Sequence, residues 1–154
     1  MFFSDPIAAF GNLRSALRKG GRLAFTCWRQ PRDNPWVAVP MAAAFEHIPR
    51  PPAPEPDAPG EFAFADHDRV HSILSEAGFD NIHIEPVDEM VGRGSLDETV
   101  ETTLQMGPVG VALREVPEKR EVVGAALRRA LAPFAGPDGV RMGAAVWIVR
   151  AENP

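Results

Sequence analysis

Two histidines four residues apart are the first feature of this sequence that suggests metal chemistry. His67 and His71 would share one face of a helix, as the histidine pair of a zinc hydrolase does. The pattern lacks the glutamate that activates water in the His-Glu-x-x-His arrangement. Because Val70 and Leu74 form the apolar side of the same helix, we expect both histidines to face solvent. The sequence therefore favours solvated histidines over a metal site.

A glycine pair lies between a predicted strand and a predicted helix, where phosphate-binding loops occur. A dinucleotide fingerprint that begins at Gly92 and Gly94 needs glycine or alanine three residues further on. Asp97 occupies that position, and its carboxylate would repel a pyrophosphate. We therefore interpret Gly92-Arg-Gly94 as a turn.

The single cysteine lies in the apolar run Ala24–Trp28. A buried thiol without a cationic neighbour behaves as a small hydrophobic side chain, so Cys27 is expected to be inert. His47 or His83 would have to approach it from elsewhere in the fold to activate it. No catalytic residue is assigned.

Four aromatic residues lie at the ends of predicted elements or in loops, and not on a core stripe. They are Phe2, Phe3, Trp28 and Trp36, and Arg29 follows Trp28 directly. In open α/β sheets, ligands bind beyond the carboxyl ends of the strands, where Trp28 lies. Two interpretations stay open: these side chains pack in the core, or they form the wall of a pocket for an apolar or aromatic substrate.

The elements that position these residues follow from caps and periodicity. Asp5-Pro6 is typical of a helix start, Gly20-Gly21 of a helix end, and Ser95 with Glu98 of a capping box. Gly107-Pro108 is expected to end the helix that the box starts. The predicted helices cover 6–19, 36–47, 66–78, 95–105 and 118–131, and the predicted strands cover Arg22–Trp28, Asn81–Val91 and Val140–Arg150.

Proline is concentrated in one segment. Nine of the sixteen prolines lie in residues 29–60. The stretch Pro49–Gly60 cannot form a regular helix or a central strand, so we expect an extended, polyproline-like loop. A PxxP-type ligand for a partner domain is the alternative.

Composition limits the class of protein. The chain has 154 residues, a net charge of −5 and one cysteine, which excludes an intramolecular disulfide framework and fits a reducing compartment. The acidic balance argues against a nucleic-acid or membrane partner, and no apolar run approaches the roughly 20 residues that span a bilayer. We predict one cytoplasmic unit over residues 1–154, with insertions at 29–60 and 95–132.

Two motifs resemble class I S-adenosylmethionine-dependent methyltransferases. Leu17-Arg-Lys-Gly-Gly-Arg-Leu23 is similar to the family's Leu-x-Pro-Gly-Gly-x-Leu element before strand 5. Leu74-Ser-Glu-Ala-Gly-Phe79 is similar to the Leu-x-x-Ala-Gly-Phe element before strand 6. The opening Met1–Pro6 and the segment Trp28–Pro40 resemble the ubiquinone/menaquinone C-methyltransferase branch. The resemblance covers about residues 1–91.

This resemblance implies a partial Rossmann-like α/β fold with strands in the order 5-7-6. Val140–Arg150 would be strand 7, antiparallel to its neighbours. Strands 1–4 carry the family's glycine-rich cofactor loop, and we expect them to be absent from this chain. The chain would then be the C-terminal half of a methyltransferase domain, inactive or weakly active alone.

The resemblance also implies partners and sites. Methyl transfer in the family relies on proximity and orientation, so no dedicated catalytic residue is expected. The open sheet edge would take a second copy of the chain or the missing N-terminal half. The alternative function is a non-enzymatic binding or dimerisation module that uses this edge. The implied cofactor is S-adenosylmethionine at Met1 and Phe2, and the implied substrate is a small apolar or aromatic molecule at Phe3, Trp28, Arg29 and Trp36.

Overall fold

The computed structural model describes residues 1–53, 55 and 58–154, and within them helices and strands are mixed as the α/β prediction requires. The strands form a three-stranded antiparallel sheet and a two-stranded ribbon. The α-helices are α1 (Pro6–Ala16), α2 (Pro35–Ala44), α3 (His67–Glu76), α4 (Leu96–Gln105), α5 (Gly107–Glu115) and α6 (Arg120–Leu131). The strands are β1 (Arg22–Trp28), β2 (Asp80–Val91), β3 (Ala135–Gly136), β4 (Gly139–Val140) and β5 (Met142–Glu152).

Two compact units divide the chain. Unit 1 consists of Met1–Asp33, Pro54–Asp88 and Ala145–Pro154, and unit 2 consists of Asn34–Ala53 and Glu89–Ala144. Each unit has its own cluster of buried apolar side chains. That the two units act as one domain, as the sequence predicts, stays a prediction.

The sheet of unit 1 has the order β1-β5-β2. β1 pairs antiparallel with β5, from Arg22 opposite Glu152 to Trp28 opposite Val146. Because β2 also runs antiparallel to β5, β1 and β2 point the same way and their carboxyl ends lie at one end of the sheet. Helices α1 and α3 precede β1 and β2, and they cover one face around a core that includes Phe10, Leu74 and Val149.

Helix α1 begins where the sequence predicts and ends earlier. The side chain of Asp5 accepts a hydrogen bond from the Ala8 N–H at 2.9 Å, which caps the first turn. At the other end, the Asn153 side-chain amide donates to the carbonyl oxygens of Leu17 and Arg18, at 2.9 Å and 3.2 Å. This long-range contact satisfies the terminal carbonyls, so the helix stops at Ala16 and not at residue 19.

Unit 2 is mainly helical. Helix α4 begins with the predicted capping box, in which the Ser95 hydroxyl accepts from the Glu98 N–H and the Glu98 carboxylate accepts from the Ser95 N–H. The predicted break at Gly107-Pro108 is confirmed, since α4 ends at Gln105; the same two residues also start α5, because proline is tolerated in a first helical turn. The apolar core side chains of unit 2 that are most completely buried include Val123, Leu127 and Leu131.

The proline-rich segment is described only in part. Residues 54, 56 and 57 lie outside the described residues, and so does the part of the predicted extended loop and PxxP motif that rests on them. Helix α2 runs through Pro40, where the sequence predicts a kink or a start. Within the described residues, no helix combines the length and apolar character needed to cross a bilayer.

Candidate functional site

Arg29 connects the carboxyl ends of β1 and β2, the two strands of unit 1 that run in the same direction on either side of β5. Its backbone N–H donates to the Ala145 carbonyl at 3.0 Å, which extends the β1–β5 ladder by one residue beyond Trp28. Its guanidinium donates to the Asp88 carboxylate of β2 at 2.7 Å and lies 3.5 Å from the Asp33 carboxylate. The residue that follows β1 is therefore held between two acidic side chains.

An indole ring completes this cluster. Trp147 on β5 lies diagonally across the ladder from Arg29, and such diagonal neighbours are within reach of long side chains. The Arg29 guanidinium carbon lies 5.3 Å from the centroid of the Trp147 ring, the range of a cation–π contact. The indole N–H donates to the Ala65 carbonyl at 2.9 Å, and the edge-on ring of His67 lies 5.6 Å away.

We call Arg29, Asp33, His67, Asp88 and Trp147 the Arg29 cluster. Its cation is balanced by two carboxylates, so an anionic ligand would have to compete with them. Its aromatic surfaces favour a neutral apolar or aromatic ligand, as in most small-molecule sites.

Trp28 and Arg29 lie on opposite faces of the sheet because side chains alternate along a strand. Trp28 is half-buried opposite Val146, on the face away from α1 and α3, whereas Arg29 shares the helix-covered face with Trp147. The two residues therefore do not form one continuous wall.

Phe3 borders the aromatic part of the unit 1 core. Its ring packs edge-on against the Phe10 ring, with the ring centroids 6.2 Å apart. The Phe10 centroid in turn lies 5.2 Å from that of Phe25 and 6.0 Å from that of Phe64. Phe3 remains 47% exposed, so it offers an apolar surface to a ligand as well as packing on the core. Both interpretations of this residue from the sequence thus have structural support.

The residues assigned to the methyl donor do not form a site by themselves. Met1 is half-buried, and its carbonyl already accepts a hydrogen bond from the Gly60 N–H at 3.1 Å. Phe2 is 67% exposed. One aromatic ring and one occupied carbonyl cannot enclose an adenosine and a sulfonium, so Met1 and Phe2 offer at most one wall for S-adenosylmethionine.

Trp36 belongs to unit 2. Its indole N–H donates to the Asn34 side chain at 3.0 Å, and Asn34 is fully buried as the residue before α2. The ring also packs against the buried apolar cluster of that unit. In unit 2 the residue has a structural role, and its role at a substrate stays a prediction.

The Cys27 thiol is 2% exposed and lies 3.5 Å from the Phe64 carbonyl oxygen. Burial raises the pKa of this thiol to about 11, although the positive amino terminus of Met1 opposes the shift. The thiol is therefore protonated at neutral pH and is a poor nucleophile.

The histidine pair lies on α3 as predicted. His67 contacts the Asp68 carboxylate at 2.9 Å, and the His71 ring lies 3.4 Å from the Ser75 hydroxyl. Within the described part of the chain, no group of three or more histidine, cysteine, aspartate or glutamate side chains could hold a metal ion.

The Gly92–Gly94 segment connects β2 to α4 with a bend at Gly94, and it packs closely on β4. Gly92 has φ +94°, and a Cβ there would lie 2.5 Å from the Val140 carbonyl oxygen. The Gly94 carbonyl accepts a hydrogen bond from the Val140 N–H at 2.8 Å. Backbone packing therefore accounts for Gly92, whereas a Cβ at Gly94 would meet only side-chain atoms, the nearest at 3.3 Å.

Two surface grooves lie away from the Arg29 cluster residues. One of about 450 Å³ in unit 1 is lined by Arg22, His83 and Arg150, near the start of β1 and the end of β5. One of about 930 Å³ in unit 2 lies between α4 and α6. Ion pairs of Arg120 with Glu101 and of Arg128 with Asp97 link the two helices there.

Four members of the Arg29 cluster, namely Asp33, His67, Asp88 and Trp147, have no sequence signal that marks them as site residues. Asp88 and Trp147 lie in predicted strands, but their contact with Arg29 depends on strand order and register across long sequence separations. His67 was considered only as a metal ligand. The one local signal for the cluster is that Arg29 follows an apolar strand.

Comparison with known proteins adds no relative: no protein-family model matches the sequence, and no curated protein shows significant similarity to it.

Proposed function

We propose that this chain is the C-terminal part of an S-adenosylmethionine-dependent methyltransferase that acts on a small apolar or aromatic molecule. The observation that carries the proposal is the sheet order β1-β5-β2, in which the last strand lies antiparallel between two strands that each follow a helix. The family that the sequence resembles closes its sheet with strands 5, 7 and 6 in this order. Its two motifs here, Leu17–Leu23 and Leu74–Phe79, directly precede or enter β1 and β2.

The Arg29 cluster supports the proposed substrate class. It lies at the shared carboxyl end of β1 and β2, where ligands of open α/β sheets bind. The cluster has aromatic surfaces and a cation already balanced by acids, which favours a neutral acceptor over a charged one.

The donor site would require residues beyond those described. Because Met1 and Phe2 offer at most one wall, the glycine-rich loop would come from another polypeptide segment. This chain would position the acceptor and shield it from water, which is the contribution that proximity and orientation require.

The test combines this chain with the polypeptide encoded directly upstream of Met1, translated in frame. We expect that polypeptide to contain a glycine-rich strand–loop–helix unit, and the two together to retain radiolabelled S-adenosylmethionine in equilibrium dialysis. Retention by neither the pair nor the chain alone would overturn the proposal. Tight retention by the 154-residue chain alone would overturn the part of the proposal that makes this chain only the C-terminal part of the enzyme.

A matched pair of variants probes the Trp28 face of the sheet, separately from the Arg29 cluster on the other face. Trp28→Ala should lower kcat/KM of the combined protein for an aromatic acceptor about tenfold or more, because a misplaced acceptor loses alignment. His83→Ala removes an exposed side chain of β2 and should leave it unchanged. Equal effects of the two variants would argue against a substrate surface at Trp28.

A further inference from the structure

The two edges of the unit 1 sheet differ in their protection. The β2 edge carries Pro86, which lacks an N–H, together with exposed acidic side chains at Glu85 and Asp88. Proline and charge are the usual means of preventing further strand pairing. β1, at the other edge, has Arg22 as its one charged residue and no proline. Among the described residues, no strand pairs with its outer side.

The pairing with β5 decides which backbone groups of β1 face outward. The Arg29 N–H donates to the Ala145 carbonyl, and the Gly21 carbonyl accepts from the Asn153 N–H. The odd-numbered residues of this segment therefore point their backbone N–H and C=O groups toward β5. In an antiparallel ladder the residues between them point their N–H and C=O groups the other way. Arg22, Ala24 and Thr26 therefore present backbone groups to the outer edge, and their side chains are exposed.

Helix α1 adds an apolar flank to the same side of unit 1. Arg14 marks the flank that faces α3, since its guanidinium lies against Gly78 at the end of α3. Helical geometry puts Leu13 about 100° around the helix from Arg14, on the flank away from α3, and Leu13 is 44% exposed. The residues that repeat along this flank are all apolar: Pro6, Ala9, Leu13 and Ala16.

We infer that β1 pairs antiparallel with β1 of a second copy, around a two-fold axis at Phe25. The two sheets would join into one six-stranded sheet, and the α1 flanks would meet on one face of it. A two-fold interface is self-complementary by symmetry. This inference rests on the strand edge and not on the proposed methyltransferase activity, and it concerns the 154-residue chain by itself, because an N-terminal half that docked on β1 would occupy the same edge.

The sequence of β1 suits this register. An axis at Phe25 overlaps all seven residues of the strand and sets Ala24 opposite the partner's Thr26. It sets Arg22, the strand's one charge, opposite the partner's Trp28, where a cation and an indole attract. No like charges face each other across the axis, since Arg22 is the one charged residue of β1.

The register is tested by charge placement at two exposed positions. Sedimentation equilibrium should give the 154-residue chain a mass twice the 16.7 kDa of one copy. Ala24→Lys with Thr26→Lys puts like charges opposite each other and should weaken the dimer by about tenfold or more. Ala24→Glu with Thr26→Lys puts opposite charges together and should restore it.

Circular dichroism of each variant checks that it is folded. The matched control is a double substitution on β2, His83→Lys with Glu85→Lys, which should leave the dimer intact. Amide hydrogen exchange provides a second measurement: the backbone amides of Ala24 and Thr26 should gain protection from exchange as protein concentration rises. A monomeric wild-type chain would overturn the inference. So would a dimer that both β1 double variants leave intact, because it would use another surface.

Discussion

The guanidinium of Arg29 lies over the ring of Trp147, 5.3 Å from its centroid, while the same group donates to Asp88. One side chain thus links the strand that ends at Trp28 to both other strands of the sheet. The link joins residues far apart in sequence, so it reports on the assembled sheet and not on any single element.

Removing this charge should destabilise unit 1. We expect Arg29→Met to lower the free energy of unfolding by about 1 kcal/mol, since a partly exposed cation–π contact and ion pairs are lost together. Urea unfolding followed by tryptophan fluorescence measures it. Arg32→Met changes an exposed arginine three residues away and is the control. Equal midpoints for the two variants would contradict the role of the cluster.

The Cys27 thiol should make unfolding depend on alkaline pH. Its pKa is raised from 9.0 to about 11 in the folded chain, so the folded state keeps a proton that the unfolded state loses. Stability therefore falls as pH rises between these values, by on the order of 2 kcal/mol. The difference between wild type and Cys27→Ala isolates this effect from other titrating groups. A difference that stays constant from pH 8 to 11 would refute it.

The Asn153 amide should stabilise the end of α1. Asn153→Ala is expected to cost about 1 kcal/mol, because the carbonyls of Leu17 and Arg18 lose a buried donor. Asn153→Asp should cost more, since its carboxylate would face those carbonyl oxygens. Thermal unfolding is the measurement, and Asn12→Ala, an exposed asparagine on α1, is the control. An aspartate variant as stable as wild type would exclude this capping role.

The capping box at Ser95 should contribute to the stability of unit 2. Ser95→Ala is expected to cost about 1 kcal/mol at neutral pH. Hydrogen bonds from the Ser95 backbone and hydroxyl lower the pKa of the Glu98 carboxyl. The stability that the Glu98 carboxylate contributes is therefore complete above the ordinary glutamate pKa of 4.5, and it is lost as pH falls through the lowered pKa of this carboxyl. Denaturation series at pH 7 and in acid compare wild type with Ser95→Ala and with Thr102→Ala, an exposed control on α4. Identical acid dependence in all three would count against the box.

Local sequence signals predicted which helices and strands form better than they predicted where these helices and strands begin and end. β1 spans Arg22–Trp28 and α4 ends at Gln105, as the caps and periodicity indicate. Helix α1 ends early because Asn153, from the far end of the chain, binds its last carbonyls. Helix α5 was missed because Gly107-Pro108 is typical both of a stop and of a start.

The candidate site could be predicted only at one position. Arg29 follows an apolar strand, which is visible in the sequence. Asp88 reaches it across 59 residues and Trp147 by diagonal register, and neither relation has a local sequence signal. Strand order decides both, so a single sequence without its pairings cannot specify them.

The antiparallel ladder between β1 and β5 also determines when this sheet can form during synthesis. β1 is made before its partner, residues 146–152, and helices α2 to α6 are all made between them. Until then both edges of β1 are exposed, and β2 lacks the strand that joins it to β1. A nascent chain therefore carries an apolar, unpaired strand until β5 is made, the period in which chaperone binding or premature pairing with a neighbouring chain competes with folding.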